Sequence, residues 1–95
     1  MEKFIYYSIL YDFYKDLFTD KQRKYFEDYY FNNLSLSEIA ENFGITRQAV
    51  RDNIKKGENN LIEFEEKLQL MQKINQIEKL EIDKTIKKQI RNILI

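Results

Sequence analysis

Residues 35–56 read SLSEIAENFGITRQAVRDNIKK, and this stretch decides the fold. Ser35-Leu36-Ser37-Glu38 has the form of a capping box, in which the Ser35 hydroxyl accepts from an early backbone N–H and Glu38 reaches back to the N–H of Ser35. A short helix from Leu36 to Phe43 then sets Leu36, Ile39, Ala40 and Phe43 on one side. Gly44 follows, the residue that a helix C-terminus prefers in positive φ. Ile45 plugs the core, and Thr46 caps a new helix whose inward residues are Ala49, Val50 and Ile54. A small residue where the helices touch (Ala40), glycine at the turn and an apolar wedge between them meet the steric needs of a helix-turn-helix.

Working outward, the N-terminal segment from Glu2 to Leu17 is helical in pattern and apolar around most of its circumference. Phe4, Tyr7, Tyr11, Tyr14 and Phe18 form one row, and Ile5, Ile9, Phe13 and Leu17 another. A helix with so wide an apolar face needs cover on more than one side, so we expect it both to pack in the core and to present a dimer or partner interface at Phe4, Tyr7, Tyr11 and Tyr14. Thr19 and Asp20 cap a second helix that runs to about Phe31, and Asn32 and Asn33 end it.

Downstream, Leu61, Phe64, Leu68, Met71, Ile74 and Ile77 continue the apolar spacing of the second corner helix. One long amphipathic helix to about residue 78 is expected, with a bend possible at Gly57 and Glu58-Asn59-Asn60. Asp83 caps a last basic–apolar helix over about 83–94, with Ile86, Ile90 and Ile93 on one side and Lys84, Lys87, Lys88 and Arg91 on the other. We expect those isoleucines to pack on the body of the protein, with the cations open to phosphate or, as a third reading, to an acidic membrane surface. The expected fold class is all-α: a single helical domain over residues 1–95, with the helix-turn-helix at about 35–56.

Composition limits the chemistry. There is no Cys and no His, which removes disulfides, thiolate zinc sites, cysteine nucleophiles and imidazole bases. No nucleophile–base pair or metal-ligand cluster appears, so the chain is read as a binding protein, not an enzyme, with no cofactor and no metal. No apolar run approaches the ~20 residues of a spanning helix, and the N-terminus does not have the form of a signal peptide, so a cytoplasmic location is expected. Lys and Arg total 16 and Asp and Glu total 16, which excludes a surface coated in positive charge. The charges are nevertheless segregated. Arg47, Arg51, Lys55 and Lys56 surround the lone acid Asp52, Glu58, Glu63, Glu65 and Glu66 follow with no cation among them, and Lys84 to Ile95 is purely basic.

On the second corner helix Arg47, Arg51 and Lys55 recur every four residues, each about 40° from the last, and so lie along one stripe. Thr46 and Gln48 sit at the N-terminal end, which enters the major groove in such motifs. Arg and Gln make bidentate bonds to guanine and adenine edges, and the helix N-terminus with Lys55 and Lys56 suits phosphate. The candidate nucleic-acid-binding residues are therefore Thr46, Arg47, Gln48, Arg51, Lys55 and Lys56. The competing reading is a solvated charged face in which Arg51 and Lys55 pair with Asp52 and with Glu58 or Asn59.

Asp12-Phe13-Tyr14, Leu17, Lys21-Gln22, Tyr29-Tyr30, Leu34-Ser35-Leu36, Glu38-Ile39-Ala40, Arg47-Gln48-Ala49-Val50, Asp52-Asn53-Ile54-Lys55 and Glu65-Glu66-Lys67-Leu68 together resemble the YlxM-type helix-turn-helix proteins. The likeness covers roughly the first three-quarters of the chain. The core is also similar to region 4 of bacterial sigma factors, where a comparable corner follows a Thr-x-x-Gln-Arg-like segment, here Thr19 to Arg23. The YlxM resemblance implies a small cytoplasmic helical protein, dimeric, that assists the signal recognition particle pathway. The nucleic acid it would bind is either DNA or the particle's RNA. Two alternatives stand beside it: a dimeric adaptor for the particle's GTPase in which the corner is only architecture, and a DNA-binding transcription regulator.

Overall fold

The computed structural model describes residues 2–95, and among them every regular element is helical. The helices are α1 (Lys3–Tyr14), α2 (Asp20–Tyr30), α3 (Leu36–Phe43), α4 (Arg47–Leu68), α5 (Leu70–Glu78) and α6 (Lys84–Leu94), with a 3-10 turn at Lys15–Leu17 after α1.

Local chemistry sets most boundaries. Thr19 and Gln22 form a capping box at the start of α2, and Ser35 and Glu38 form another at α3. The Ser35 backbone N–H, followed by the Ser35 hydroxyl, holds the Glu38 carboxyl below its ordinary range. Asn33 takes the left-handed conformation after α2, and Gly44 takes it after α3, at φ 65°. The Ile45 N–H then returns to the Ala40 carbonyl at 3.1 Å. Thr46 Oγ1 accepts the Ala49 N–H at 3.0 Å, which starts α4 and closes the corner.

The corner helices α3 and α4 pack on each other and on α2, while α1 lies along α4. Leu10, Ile39, Val50 and Leu61 are fully enclosed, each contributing on the order of 2 kcal/mol of apolar burial. Aromatic rings fill the rest. Tyr11 stacks on Phe26 at 4.7 Å, Phe26 stacks on Tyr30 at 4.2 Å, and Tyr25 meets Phe43 edge-on at 4.7 Å. The buried tyrosines reach carboxylates with their hydroxyls: Tyr11 donates to Glu27 and Tyr14 to Glu65, each at 2.5 Å, and Tyr30 donates to Glu58. A ring that brings its own polar partner enters a core without an unsatisfied hydroxyl.

Three expectations change. First, the helix runs unbroken through Gly57, which is helical and buried. Phe18 and Phe26 close over it so tightly that an added Cβ would meet each ring at 3.3 Å. Second, the long helix ends at Leu68 instead of continuing to about 78. Gln69 takes the left-handed conformation at φ 54°, and α5 sets off in a new direction. Leu68, expected inside, is 49 % exposed as a result. Third, the isoleucines of α6 do not seat on the body. Ile86 is exposed, Ile93 is 83 % exposed, and only Ile90 is half-buried. Helix α6 leans on α5, where Lys87 Nζ donates to the Glu78 carbonyl at 2.9 Å and Arg91 approaches the Glu78 carboxylate at 3.9 Å. Two of its four cations thus answer the negative C-terminal end of α5.

Candidate nucleic-acid interface

Helix α4 presents its first three turns to solvent because its apolar face, Val50, Ile54 and Gly57, is held by α2 and α3. Arg47, Arg51 and Lys55 line one wall of a surface groove of about 430 Å³. Buried Ile54 and half-buried Leu36 contribute apolar surface to it, and Tyr29 of α2 and Glu58 complete it. The charged-face alternative would have Arg51 and Lys55 paired to Asp52 and to Glu58 or Asn59. Among the described residues Arg47, Arg51, Lys55 and Lys56 make no ion pair. Asp52 accepts instead from Gln48 Nε2 at 2.9 Å, and Glu58 accepts from the Tyr30 hydroxyl.

The six candidate residues therefore separate. Arg47, Arg51 and Lys55 share the groove. Thr46 is spent on the cap of α4, Gln48 is tied to Asp52, and exposed Lys56 lies outside the groove lining. Leu36, expected on the inward side of its helix, and Tyr29, which the sequence reading does not put among the candidates, both stand at the groove.

The four interface candidates on α1 also separate. Tyr11 and Tyr14 are each 2 % exposed within the single chain, enclosed by Phe26, Phe18 and Phe64. Phe4 is 48 % exposed and stacks on Tyr30 at 4.4 Å, and Tyr7 is half-buried beside the same ring. The open apolar surface of α1 is thus at its N-terminal end, Phe4 and Ile5.

Two capped helices at a glycine corner, with a third helix behind them and a cationic edge on the second, define a helix-turn-helix protein. The whole-chain comparison carries this further: residues 1–93 match the family model UPF0122, described as "Putative helix-turn-helix protein, YlxM / p13 like". UPF0122 proteins of Bacillus cereus (strain AH187), Bacillus anthracis (strain A0248) and Bacillus thuringiensis subsp. konkukian (strain 97-27) are each 51 % identical to it over 80 residues, which is 84 % of this chain and 73 % of the relative. The chain belongs to the UPF0122 family of YlxM/p13-like helix-turn-helix proteins. Among the described residues no helix is long and apolar enough to cross a membrane.

Proposed function

We propose that this protein binds nucleic acid along the groove between α2 and α4, as an accessory or regulatory protein of the signal recognition particle pathway, and that it acts as a homodimer. The supporting observation is that Arg47, Arg51 and Lys55 meet on one groove without an ion-pair partner among the described residues. Cations held on a rigid helix and left unpaired are available to phosphate at no cost of breaking an existing bridge. The pathway and the dimer rest on the family likeness.

Electrophoretic shift with the particle's RNA and with duplex DNA, each across a salt series, tests the reading. Arg47→Ala is expected to weaken binding and to reduce the salt slope by about 1. Absence of binding to either nucleic acid at low salt ends it. Tight binding to duplex sites with two half-sites about one helical turn apart would favour a transcription regulator. A second reading follows from exposed Phe4 and Ile5, which suit an adaptor that docks on the particle's GTPase. In that case Phe4→Ala and Tyr7→Ala abolish capture of the GTPase in a pull-down, while Arg47→Ala leaves it unchanged.

A further inference from the structure

We infer that the groove takes an unpaired nucleotide, its base stacked on Tyr29 and its flanking phosphates on Arg47, Arg51 and Lys55; this rests on the nucleic-acid reading above and specifies the strand it recognises. Tyr29 is the one aromatic ring among the groove's lining residues. It is half-buried and tied into place from behind. Tyr30 has Phe4 and Phe26 stacked against it, at 4.4 and 4.2 Å, so it meets Tyr29 at 5.4 Å and 75° with its edge. Tyr30 is the one ring that pairs with Tyr29 among the described residues. The hydroxyls of Tyr11, Tyr14 and Tyr30 are committed to carboxylates, and that of Tyr29 is not. A half-buried ring at the lining of a groove, with cations beside it, is the kind of arrangement on which single-stranded nucleic acid is held.

The shape argues the same way. A duplex major groove receives a protruding helix edge. Here the cations line a hollow with an apolar lining of Leu36 and Ile54, which suits a flat apolar base turned out of a strand. Glu58 in the same groove would repel a continuous run of phosphates. Its Oε2 accepts from Tyr30, leaving Oε1 to accept from a base N–H.

The protein contains no Trp, so Tyr29→Trp introduces a single fluorescent reporter at the site. The probes are a single strand of about 12 nucleotides, made as RNA and as DNA, and the matching DNA duplex. Quenching of Tyr29→Trp by either single strand, and not by the duplex, supports stacking. Tyr29→Ala is expected to lose roughly tenfold in single-strand affinity with Tyr29→Phe near the native value, since the ring and not the hydroxyl carries the contact. If Tyr29→Ala does not fold, as circular dichroism will report, the Tyr29→Trp quench and the Tyr29→Phe affinity still decide. Single strand and duplex quenching alike, or Tyr29→Ala binding the strand as tightly as the native protein while Arg47→Ala does not, overturns the inference and leaves the groove as a nucleic-acid site. No binding of any probe removes both.

Discussion

Gly57 shows how one residue with no side chain can fix a core. In an exposed helix it would be a liability of about 1 kcal/mol relative to Ala. In α4 it is where the helix admits Phe18 and Phe26 to 3.3 Å of where a Cβ would sit. Those rings cannot retreat freely, because Phe26 is stacked between Tyr11 and Tyr30 and Phe18 meets both Tyr11 and Phe26 edge-on. We expect Gly57→Val to destabilise the protein by at least about 2 kcal/mol, read as a lower urea midpoint with the slope unchanged. A Gly57→Val variant as stable as the native chain would show that the rings yield. From sequence, Gly57 reads as an interruption; its actual role depends on Phe18 and Phe26, 39 and 31 positions upstream. Arg47, Arg51 and Lys55 differ in this respect. Their shared stripe follows from helical spacing alone, and the structure keeps it.

At the scale of elements, the turn at Gln69 is the largest departure from the sequence pattern. A non-glycine residue in the left-handed region costs about 1 kcal/mol. The cost is offset by side chains from elsewhere that cap α5, to which Gln69 supplies no side-chain bond. The Tyr14 hydroxyl accepts the Leu70 N–H at 3.0 Å, and the Glu65 carboxylate accepts those of Met71 and Gln72 at 3.1 and 3.2 Å. The first three N–H groups of α5 are thereby satisfied by a tyrosine on α1 and a glutamate on α4. Burial first, and then the hydrogen bond to Glu65, pushes the Tyr14 hydroxyl from 10.0 up to about 12. The folded state therefore prefers the protonated hydroxyl. Its contribution is whole below pH 10 and is lost as pH rises through 12. Burial and their carboxylate partners raise Tyr11 and Tyr30 as well. Urea unfolding across an alkaline series should show stability falling over this window, with a shallower fall in Tyr14→Phe. An equal fall in both would exclude Tyr14 as a source. The apolar spacing of Leu61, Phe64, Leu68 and Met71 is compatible with one straight helix, and a cap supplied from 56 positions away leaves no trace in that spacing.

Taken whole, the molecule is elongated, 51 × 24 × 23 Å, and its zero net charge conceals separate surfaces. Arg47, Arg51 and Lys55 of α4 line the groove with no ion-pair partner among the described residues, whereas Lys87 and Arg91 of α6 are partly turned inward on Glu78. Open apolar side chains remain on α1, at Phe4 and Ile5, and on α6, at Ile86 and Ile93. If the α1 surface is the seam of the proposed homodimer, sedimentation gives twice the chain mass of 11.7 kDa, and Phe4→Asp shifts it towards the single-chain value. A single-chain mass for the native protein at micromolar concentration ends the dimer reading.

The sequence by itself determined what local chemistry determines. The capping box at Ser35, the caps at Thr19 and Thr46, the left-handed Gly44 and the stripe of Arg47, Arg51 and Lys55 each depend on residues within a few positions of one another. Hydrogen-bond reach and helical period settle such features before the chain folds back on itself. Tertiary structure alone decided the rest: that Gly57 seats two rings, that Tyr14 and Glu65 turn the chain at Gln69, that Tyr11 is core while Phe4 is surface, and that Tyr29 stands in the groove beside the cations. In each case the deciding partner lies on another helix. An apolar or aromatic residue states in sequence that it will be covered, and only the packing of the helices states by what.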